Sequence, residues 1–481
     1  MLFLSNTFRP ALQQRRRKQS GTSVFLFGLC LGAIVPMVGL AVDLSMMYLI
    51  QTRLSSAVDA ASLAAARGLS RGGDPTAQAG TAQTTANNYV EKNFPGGTYQ
   101  ISGSWDHSAT TTGNLWSNTT VNSSTANVRI VTTNASAVVP LFFMRYVGPT
   151  TRNITATAQV TRRDTNVMMV LDRSGSLANS GSCTPMKAAA SAFVDQFALG
   201  VDNVGLVTFA TASRIDVVAT TSFSSVKTTI NQIGCVGGTN SSQGLWQAYT
   251  ELVRLNQPNA LNVILFFTDG NPSHGTIDSY IQNSSTCASR NVWRTGGAIG
   301  TNGAITSVSG LYDPVAPAQP VVVDALVLNT VANPSTGCSY AGNPFTAAND
   351  VGYTANADVY GNSVNVPGST TGYGALAANF TITAPNMDTM ATNLTYNAAK
   401  RIKDGASTGT GAVAGVYIYS LGLGTAAAPP DAPFLKDIAN DLYARNYTST
   451  QRAGMYVGIP TAADINQAFQ SVASAILRLS R

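Results

Sequence analysis

The pattern of hydrophobic and polar positions near the start of the chain predicts one long helix. Val24–Val42 contains 19 residues without a charge, and about 20 apolar residues are enough to cross a bilayer as an α-helix. Beyond this stretch, the small or apolar residues Leu54, Val58, Ala61 and Ala65 recur at helical spacing. We therefore predict a membrane-spanning helix that continues past the membrane.

The residues that flank the apolar stretch predict its orientation. Arg15–Lys18 is a basic run, which by the positive-inside rule places the N-terminus in the cytoplasm and the bulk of the chain outside it. A cleaved signal peptide is the alternative, but its apolar core would span about 7–15 residues. Val24–Val42 is longer and runs on into Asp43–Tyr48. An uncleaved, single-pass anchor is therefore favoured, and the basic flank disfavours a buried globular helix.

Between residues 74 and 163 the pattern changes to a short helix followed by strands. Residues 74–97 have the composition of a helix that ends at Pro95–Gly97. Ala126–Val131 and Asn153–Val160 alternate between polar and apolar residues, as half-buried strands do. We predict a small α+β region here and assign no chemistry to it.

From residue 164 onward, strand patterns alternate with helix patterns. The predicted strands are 166–171, 204–209, 215–218, 261–267, 416–421 and 455–458, and the predicted helices are 185–199, 241–255 and 462–479. Such alternation predicts an α/β fold with a doubly wound, open parallel sheet of the Rossmann-like kind.

Ligands of such sheets bind at the carboxyl ends of the strands. Three polar clusters in the sequence are expected at these ends, because each lies directly after a predicted strand or directly before a predicted helix. They are Asp172–Ser176, Gly237–Asn240 and Thr268–Gly270. Their candidate donors are the carboxylates and hydroxyls of Asp172, Ser174, Ser176, Thr239 and Asp269. Hard oxygen donors suit Mg²⁺, Mn²⁺ or Ca²⁺, and the absence of clustered His or Cys disfavours zinc. Helix capping by Asp and Ser is the alternative explanation of the first cluster.

These residues form an ordered D-x-S-x-S … T … D set, and the region resembles the von Willebrand factor A domain. The resemblance is close over residues 166–270 and loose over 415–480. In that family the set forms a metal-ion-dependent adhesion site. Some A domains bind no metal, usually after losing one of these residues, and none is lost here.

The resemblance also implies a role for each residue of the set. Ser174, Ser176 and Thr239 would offer hydroxyl oxygens to the ion, whereas Asp172 and Asp269 would act mainly through bound water or hydrogen bonds. The implied ion is Mg²⁺, with Mn²⁺ or Ca²⁺ as alternatives. An open coordination position would then accept a carboxylate from a partner protein.

About 50 residues near the start of the chain resemble the bacterial TadE/TadG-like proteins of Tad (Flp) pilus assembly. The shared pattern is a basic run, a glycine, an apolar span, Val42-Asp43, Arg53-Leu54 and then Asp59–Ala66. A processed pilin-like subunit would carry Glu five residues after its cleavage-site glycine, but Leu26 stands five residues after Gly21. The departure argues for a permanent anchor in the inner membrane, with the C-terminal bulk in the periplasm.

The cysteines predict disulfides in an oxidising compartment. Cys30 lies in the apolar span and is interpreted as a small apolar residue. Cys183, Cys235, Cys287 and Cys338 allow three pairings. We prefer Cys183–Cys235 with Cys287–Cys338, since the first pair would lie beside the predicted metal site and tether its loops.

A long insertion, at about residues 271–385, begins directly after Asp269 and is too long for a simple loop. It is rich in Gly, Asn, Ser and Thr, with 321–329 and 380–385 as candidate strands. A segment that determines binding specificity and a variable surface excursion are both consistent with this composition.

The distribution of charge argues against nucleic-acid binding, and the absence of known catalytic motifs argues against enzymatic activity. The formal net charge of +6 suggests a nucleic-acid binder, but five basic residues precede the first acidic one, Asp43. The rest of the chain carries 24 basic against 23 acidic residues, so we expect no nucleic-acid partner. No P-loop and no G-x-S-x-G elbow occurs, and only His107 and His274 are present. We expect no enzymatic activity, and a loop position for His274.

The predicted organisation has four regions: a basic tail (1–20), the anchor and continuing helix (21–73), an α+β region (74–163) and the A-type domain (164–481). The expected function is metal-dependent protein binding in Tad pilus assembly or anchoring. The expected partners are pilus-assembly or pilin proteins that present an acidic residue. The alternative is a minor-pilin-like subunit or tip adhesin within the filament, and a metal-dependent hydrolase is a third hypothesis.

Overall fold

The structure is a computed structural model of the chain. It describes residues 22–69, 75–146, 148–257, 259–280, 291–301, 304–308, 311–312, 326–327, 357–358, 360–367, 370–376, 384–408, 411–424 and 430–480. Within these, contacts define two compact units. The first comprises the residues up to Ala61, Ala86–Thr119 and Thr133–Ala158, and the second comprises Ser62–Thr85, Thr120–Thr132 and the residues from Gln159 onward. The boundaries of the four predicted regions stay a prediction.

The N-terminal helix has the form that the sequence predicts. Helix α1 (Thr22–Gly68) is continuous over 47 residues. Its apolar first half is exposed, whereas the predicted stripe of Leu54, Val58, Ala61 and Ala65 is buried. Among the described residues, α1 alone is long and apolar enough to cross a membrane, and its most apolar window has a mean hydropathy of 2.4.

The α+β region follows α1. It consists of helix α2 (Pro75–Asn93) and a four-stranded sheet in the order β1 (Trp105–Asp106), β2 (Leu115–Asn122), β3 (Val128–Pro140) and β4 (Thr151–Arg163). Buried and partly exposed residues alternate along most of β3, because successive side chains of a strand point to opposite faces.

The remaining elements belong to the α/β fold and to its insertion. In chain order they are β5 (Thr165–Asp172), α3 (Gly175–Asn179), α4 (Cys183–Val194), β6 (Asn203–Phe209), β7 (Ser213–Thr220), α5 (Phe223–Asn231), α6 (Ser241–Leu255), β8 (Leu261–Thr268), β9 (His274–Tyr280), β10 (Asn291–Thr301), β11 (Ala304–Val308), β12 (Leu311–Tyr312), β13 (Leu326–Val327), α7 (Ala384–Lys403), β14 (Tyr417–Leu423), α8 (Ala432–Ala439), β15 (Met455–Ile459) and α9 (Ile465–Leu479).

Six of these strands form one sheet in the order β15-β14-β8-β5-β6-β7. All neighbours are parallel except β7, which runs antiparallel to β6 at the edge. Every residue of β5, β6 and β8 is buried, as expected for strands covered on both faces.

Helices cover both faces of this sheet. Phe193 of α4 packs edge-on against Phe469 of α9 in one core. Leu245 of α6, Ile402 of α7 and Ile438 of α8 belong to a separate core with the opposite side chains of the strands. The predicted doubly wound α/β fold is therefore confirmed, with an antiparallel edge strand added to it.

The predicted insertion contains a second, antiparallel sheet. Strand β10 pairs with β9, β11 and β12, and β12 pairs with β13. The candidate strand at 321–329 includes β13. The described end of the candidate strand at 380–385 instead opens helix α7, which the sequence analysis did not predict. The rest of that candidate strand lies outside the described residues.

Candidate metal site in a von Willebrand factor type A domain

The candidate site begins where β5 ends, at the carboxyl edge of the six-stranded sheet. Asp172 is the last residue of β5 and is completely buried. Its Oδ1 accepts a hydrogen bond of 2.7 Å from the backbone N–H of Ser174. This hydrogen bond closes a short turn that leads the chain from the end of β5 into α3. The turn keeps Ser174 and Ser176 close to the end of the strand.

Two hydroxyls and one carboxylate meet at this edge. Ser174 Oγ lies 2.9 Å from Ser176 Oγ, and Ser176 Oγ donates to Asp269 Oδ1 at 2.7 Å. Ser174 Oγ also lies 3.4 Å from the same carboxylate oxygen. The loops after β5 and after β8 thus bring three of the predicted donors into direct contact, because these two strands are parallel neighbours.

The two carboxylates of the site lie in a region of unbalanced negative charge. Burial, followed by the neighbouring charge of Asp269, raises the pKa of Asp172 to about 7, although hydrogen bonds from Ser174 and Thr268 oppose the shift. Burial likewise raises the pKa of Asp269 against the hydrogen bonds from both serines. A carboxylate pair of this kind is stabilised by a cation that binds between the pair.

Thr239 belongs to a third loop, which packs against the serine loop. The carbonyl of Gly237 accepts a hydrogen bond of 3.0 Å from the N–H of Gly175, between the two serines. The backbone of Thr239 is fixed from its other side, since its N–H donates to Ser273 Oγ at 3.1 Å. The structure therefore places Asp172 at the end of β5 and the other four predicted residues in three adjoining loops.

The predicted disulfide beside these loops is confirmed. Cys183, at the start of α4, is bonded to Cys235, which precedes Gly237 by two residues. It links the chain that follows Ser176 to the chain that leads to Thr239. Cys287 and Cys338, the second predicted pair, lie outside the described residues.

The sequence analysis gave no role to two residues that support the site. Thr268 Oγ1 donates to Asp172 Oδ2 at 2.6 Å and fixes the second oxygen of that carboxylate. Asn240 caps α6 through a hydrogen bond from the N–H of Gln243 and holds that helix directly behind Thr239. Their positions, directly before Asp269 and directly after Thr239, are a signal that could have identified them.

His274 is the first residue of β9 and not a loop residue. Its imidazole is buried, and Nδ1 lies 2.8 Å from Ser273 Oγ. The ring packs so closely on Gly238 that a Cβ added there would lie 2.2 Å from it. Burial lowers the pKa of His274 to about 4, so the histidine is neutral over the physiological range.

The sequence comparison identifies the unit that carries this site. Residues 167–271 match the family model VWA_2, the von Willebrand factor type A domain. We refer to this matched part of the chain as the A domain. The matched range of the A domain includes all five candidate metal-site residues. The fold that the resemblance implied is therefore confirmed.

A second family model matches the N-terminal helix. Residues 20–68 match the model Tad, described as "Putative Flp pilus-assembly TadE/G-like". The resemblance of this segment to the Tad proteins is thus also confirmed, and the chain combines a Tad-type helix with an A domain. No curated protein sequence matches the chain.

Solved structures that resemble the chain include three pilus proteins. The von Willebrand factor domain of the type V pili tip protein Mfa5 from Porphyromonas gingivalis is 16% identical over 66% of this chain and 97% of its own, with a TM-score of 0.36. The PilB minor pilin from Streptococcus sanguinis is 13% identical over 77% and 81%, with a TM-score of 0.37. The pilus adhesin SpaC from Lactobacillus rhamnosus GG is 13% identical over 77% and 36%, with a TM-score of 0.36.

The donor set distinguishes this site from most protein metal centres. Among the residues that the structure describes, no group of three or more His, Cys, Asp or Glu side chains is placed to hold a metal ion. The A-domain site supplies two carboxylates, and its other candidate donors are hydroxyls. Such a set fits a hard divalent ion and not zinc.

Proposed function

We propose that the protein is a membrane-anchored binding component of a Tad-type pilus system. In this proposal α1 crosses the inner membrane with its N-terminus in the cytoplasm, and the A domain binds a partner in the periplasm. The observation that carries the proposal is the meeting of Ser174, Ser176 and Asp269 oxygens at the carboxyl edge of an A-domain sheet.

The residues present fit a bound Mg²⁺, Mn²⁺ or Ca²⁺. Ser174, Ser176 and Thr239 would hold the ion through hydroxyl oxygens, and Asp172 and Asp269 would balance its charge. When bound, the ion would supply a positive centre that attracts a carboxylate. The protein's own part is to fix the hydroxyls. Asp172 does so by accepting from the Ser174 N–H, and Asp269 by accepting from Ser176 Oγ.

Binding, rather than catalysis, is the role that we propose for this site. His274 is the nearest histidine in sequence to Asp269, and its buried ring is enclosed by Gly238 and Ser273. A general base must reach the proton that it removes. The hydrolase hypothesis would require turnover that disappears in Ser174→Ala.

The test uses the full chain in detergent or bilayers, with Mn²⁺ as a spectroscopic probe and Mg²⁺ as competitor. Ser176 is exposed, so Ser176→Ala removes a hydroxyl without opening the core. Ser225→Ala is the matched control, since Ser225 is an exposed serine on α5. We expect Mn²⁺ binding to weaken in Ser176→Ala and to stay unchanged in Ser225→Ala.

The same variants test the partner. Pilus-assembly proteins from a membrane extract should be captured by the wild type and by Ser225→Ala in Mg²⁺, but not in EDTA. Ser176→Ala should capture less in Mg²⁺. Equal capture in Mg²⁺ and EDTA would show that the partner is recognised without the metal site. Normal Mn²⁺ binding by Ser176→Ala would contradict the proposal that Ser176 is a ligand of the ion.

A second candidate is a minor-pilin-like subunit or tip adhesin. The specific observation that favours it is the exposed apolar half of α1, which could pack among the helices of a filament as well as in lipid. Mechanical shearing of pili separates the two functions. The chain would appear in the sheared fraction if it is a filament subunit and would remain with the membranes if it is an anchor.

A further inference from the structure

The loop between β3 and β4 is fastened to the apolar helix by one aspartate. Asp43 of α1 accepts three backbone hydrogen bonds, from the N–H groups of Phe142, Phe143 and Met144 at 2.9, 3.0 and 2.7 Å. The loop is itself closed by a hydrogen bond from Leu141 N–H to the carbonyl of Thr150. All of these residues belong to the first compact unit.

The same loop reaches back onto the apolar stretch. A Cβ added at Gly39 would lie 2.6 Å from Cγ of Phe143, so the phenylalanine ring covers the glycine. Within Val24–Val42, Gly39 is the only buried position. Position 39 therefore requires a glycine, because any side chain there would displace the Phe143 ring.

The rise per residue of an α-helix gives the distance between the Gly39–Phe143 contact and the end of the apolar stretch. At about 1.5 Å per residue, Val24–Val42 spans about 28 Å, close to the roughly 30 Å of a bilayer's hydrocarbon core. Gly39 lies three residues before the end of that stretch, about 4–5 Å inside it. If Val24–Val42 spans the hydrocarbon core as proposed, Phe143 would lie at the level where hydrocarbon meets headgroups.

The exposed side chains of the loop suit that level. Phe143 is 44% exposed and Tyr146 is 80% exposed. Arg145 lies over the Tyr146 ring, 5.6 Å from its centroid. On α1 itself, Tyr48 is 76% exposed just beyond the apolar stretch. Tyrosines and arginines with apolar bodies and polar ends concentrate at membrane interfaces.

We infer that the loop Leu141–Tyr146 is a membrane-surface element that inserts Phe143 into the edge of the bilayer and places Arg145 and Tyr146 among the lipid headgroups. The inference rests on the membrane anchoring in the proposed function and adds a second lipid contact to it. Arg145 would pair with lipid phosphate, which makes a phospholipid the occupant favoured over another helix. Asp43 is a positioning residue that fixes the loop at this depth.

Site-specific photo-crosslinking tests the inference in the full chain. Benzoylphenylalanine is placed in turn at Ile34, Phe143 and Tyr89, and the protein is reconstituted in vesicles of phosphatidylethanolamine and phosphatidylglycerol. Ile34 lies in the exposed apolar stretch and is the positive control. Tyr89, an exposed tyrosine on α2, is the negative control. We expect lipid adducts at positions 34 and 143 and none at position 89.

The outcomes separate this inference from the proposed anchoring. Adducts at 34 but not at 143 would overturn the inference and leave the anchor intact, whereas their absence at both would refute the anchor itself. Protein adducts at 143 would show that another chain covers the loop. Asp43→Asn, which retains the side-chain shape, should lower the yield of lipid adducts at position 143 and leave the yield at position 34 unchanged. Unchanged yields at both positions would show that Asp43 does not position the loop.

Discussion

Two aspartates with the same burial have opposite surroundings in this protein. Asp43 on α1 is 1% exposed and accepts three backbone N–H groups. Asp172 at the end of β5 is fully buried, accepts one N–H from Ser174 and one hydroxyl from Thr268, and lies close to the second carboxylate of Asp269.

The two aspartates therefore differ in how far the protein's own groups stabilise the ionised carboxylate. Three oriented N–H dipoles stabilise the Asp43 carboxylate and occupy most of its acceptor capacity. Around Asp172 the burial and the charge of Asp269 raise the pKa to about 7. The protein's own hydrogen bonds from Ser174 and Thr268 only partly offset these two effects, and under the proposed function a divalent ion would offset them further.

The largest loss of folding stability is expected at a third buried aspartate. Asp202 pairs with the buried guanidinium of Arg162 at 2.7 Å and also accepts the N–H groups of Thr165 and Ala198. Asp202→Ala should destabilise the second unit by about 3–5 kcal/mol, because it leaves the buried Arg162 guanidinium with only its longer, 3.4 Å contact to Asp164. Hydrogen exchange of the β5 and β6 amides measures the loss.

The control for Asp202 is Asp195→Ala. Asp195 also pairs with a cation, Lys227, but both side chains are exposed. Its removal should cost about 0–1 kcal/mol, since exposed ion pairs contribute little. Equal exchange rates in the two variants would contradict the role assigned to burial.

The second prediction concerns the three N–H groups at Asp43. Asp43→Ala should destabilise the docked loop by about 3 kcal/mol, at about 1 kcal/mol for each hydrogen bond lost. Faster amide exchange at Phe142, Phe143 and Met144 measures it, with the β5 amides of the second unit as an internal reference. Full protection of those three amides in the variant would mean that other contacts hold the loop.

The smallest effect on stability is expected at the candidate metal site. In EDTA, Asp172→Asn should change the free energy of unfolding by no more than about 1 kcal/mol, because the amide keeps the shape and removes the repulsion from Asp269. Mn²⁺ binding should nevertheless be lost. A destabilisation as large as that of Asp43→Ala would show that the Asp172 charge serves the fold, and the contrast between the two aspartates would fail.

The sequence predicted those elements whose signals are local. Helix α6 has the predicted bounds, Ser241–Leu255, because Asn240 caps its start and Asn256 adopts a left-handed conformation at its end. The central strands were predicted because a strand covered on both faces is apolar throughout. The meeting of Ser174, Ser176 and Asp269 was predicted because strand ends in a parallel sheet share one edge, whereas metal binding by the five candidate donors stays a prediction.

Features that depend on distant partners were not predicted. Helix α7 buries Asn393, whose amide donates to the carbonyls of Val364 and Gly374 in a loop some distance away in the sequence. Asp43 was recognised as part of a shared pattern, but its partners lie 99 to 101 residues further along the chain. A polar residue in a sequence does not reveal which backbone groups will satisfy it.

Helix α1 also has a mechanical consequence. It is unbroken from Thr22 to Gly68, a length of about 70 Å at about 1.5 Å per residue. A flexible linker would absorb a pull or a twist by straightening, whereas a helix resists both because backbone hydrogen bonds join its successive turns, with one bond missing at Pro36. The exposed apolar half of α1 and its buried second half are therefore joined by helix alone, so that a push or a pull on either half is passed on to the other as a movement of one rod.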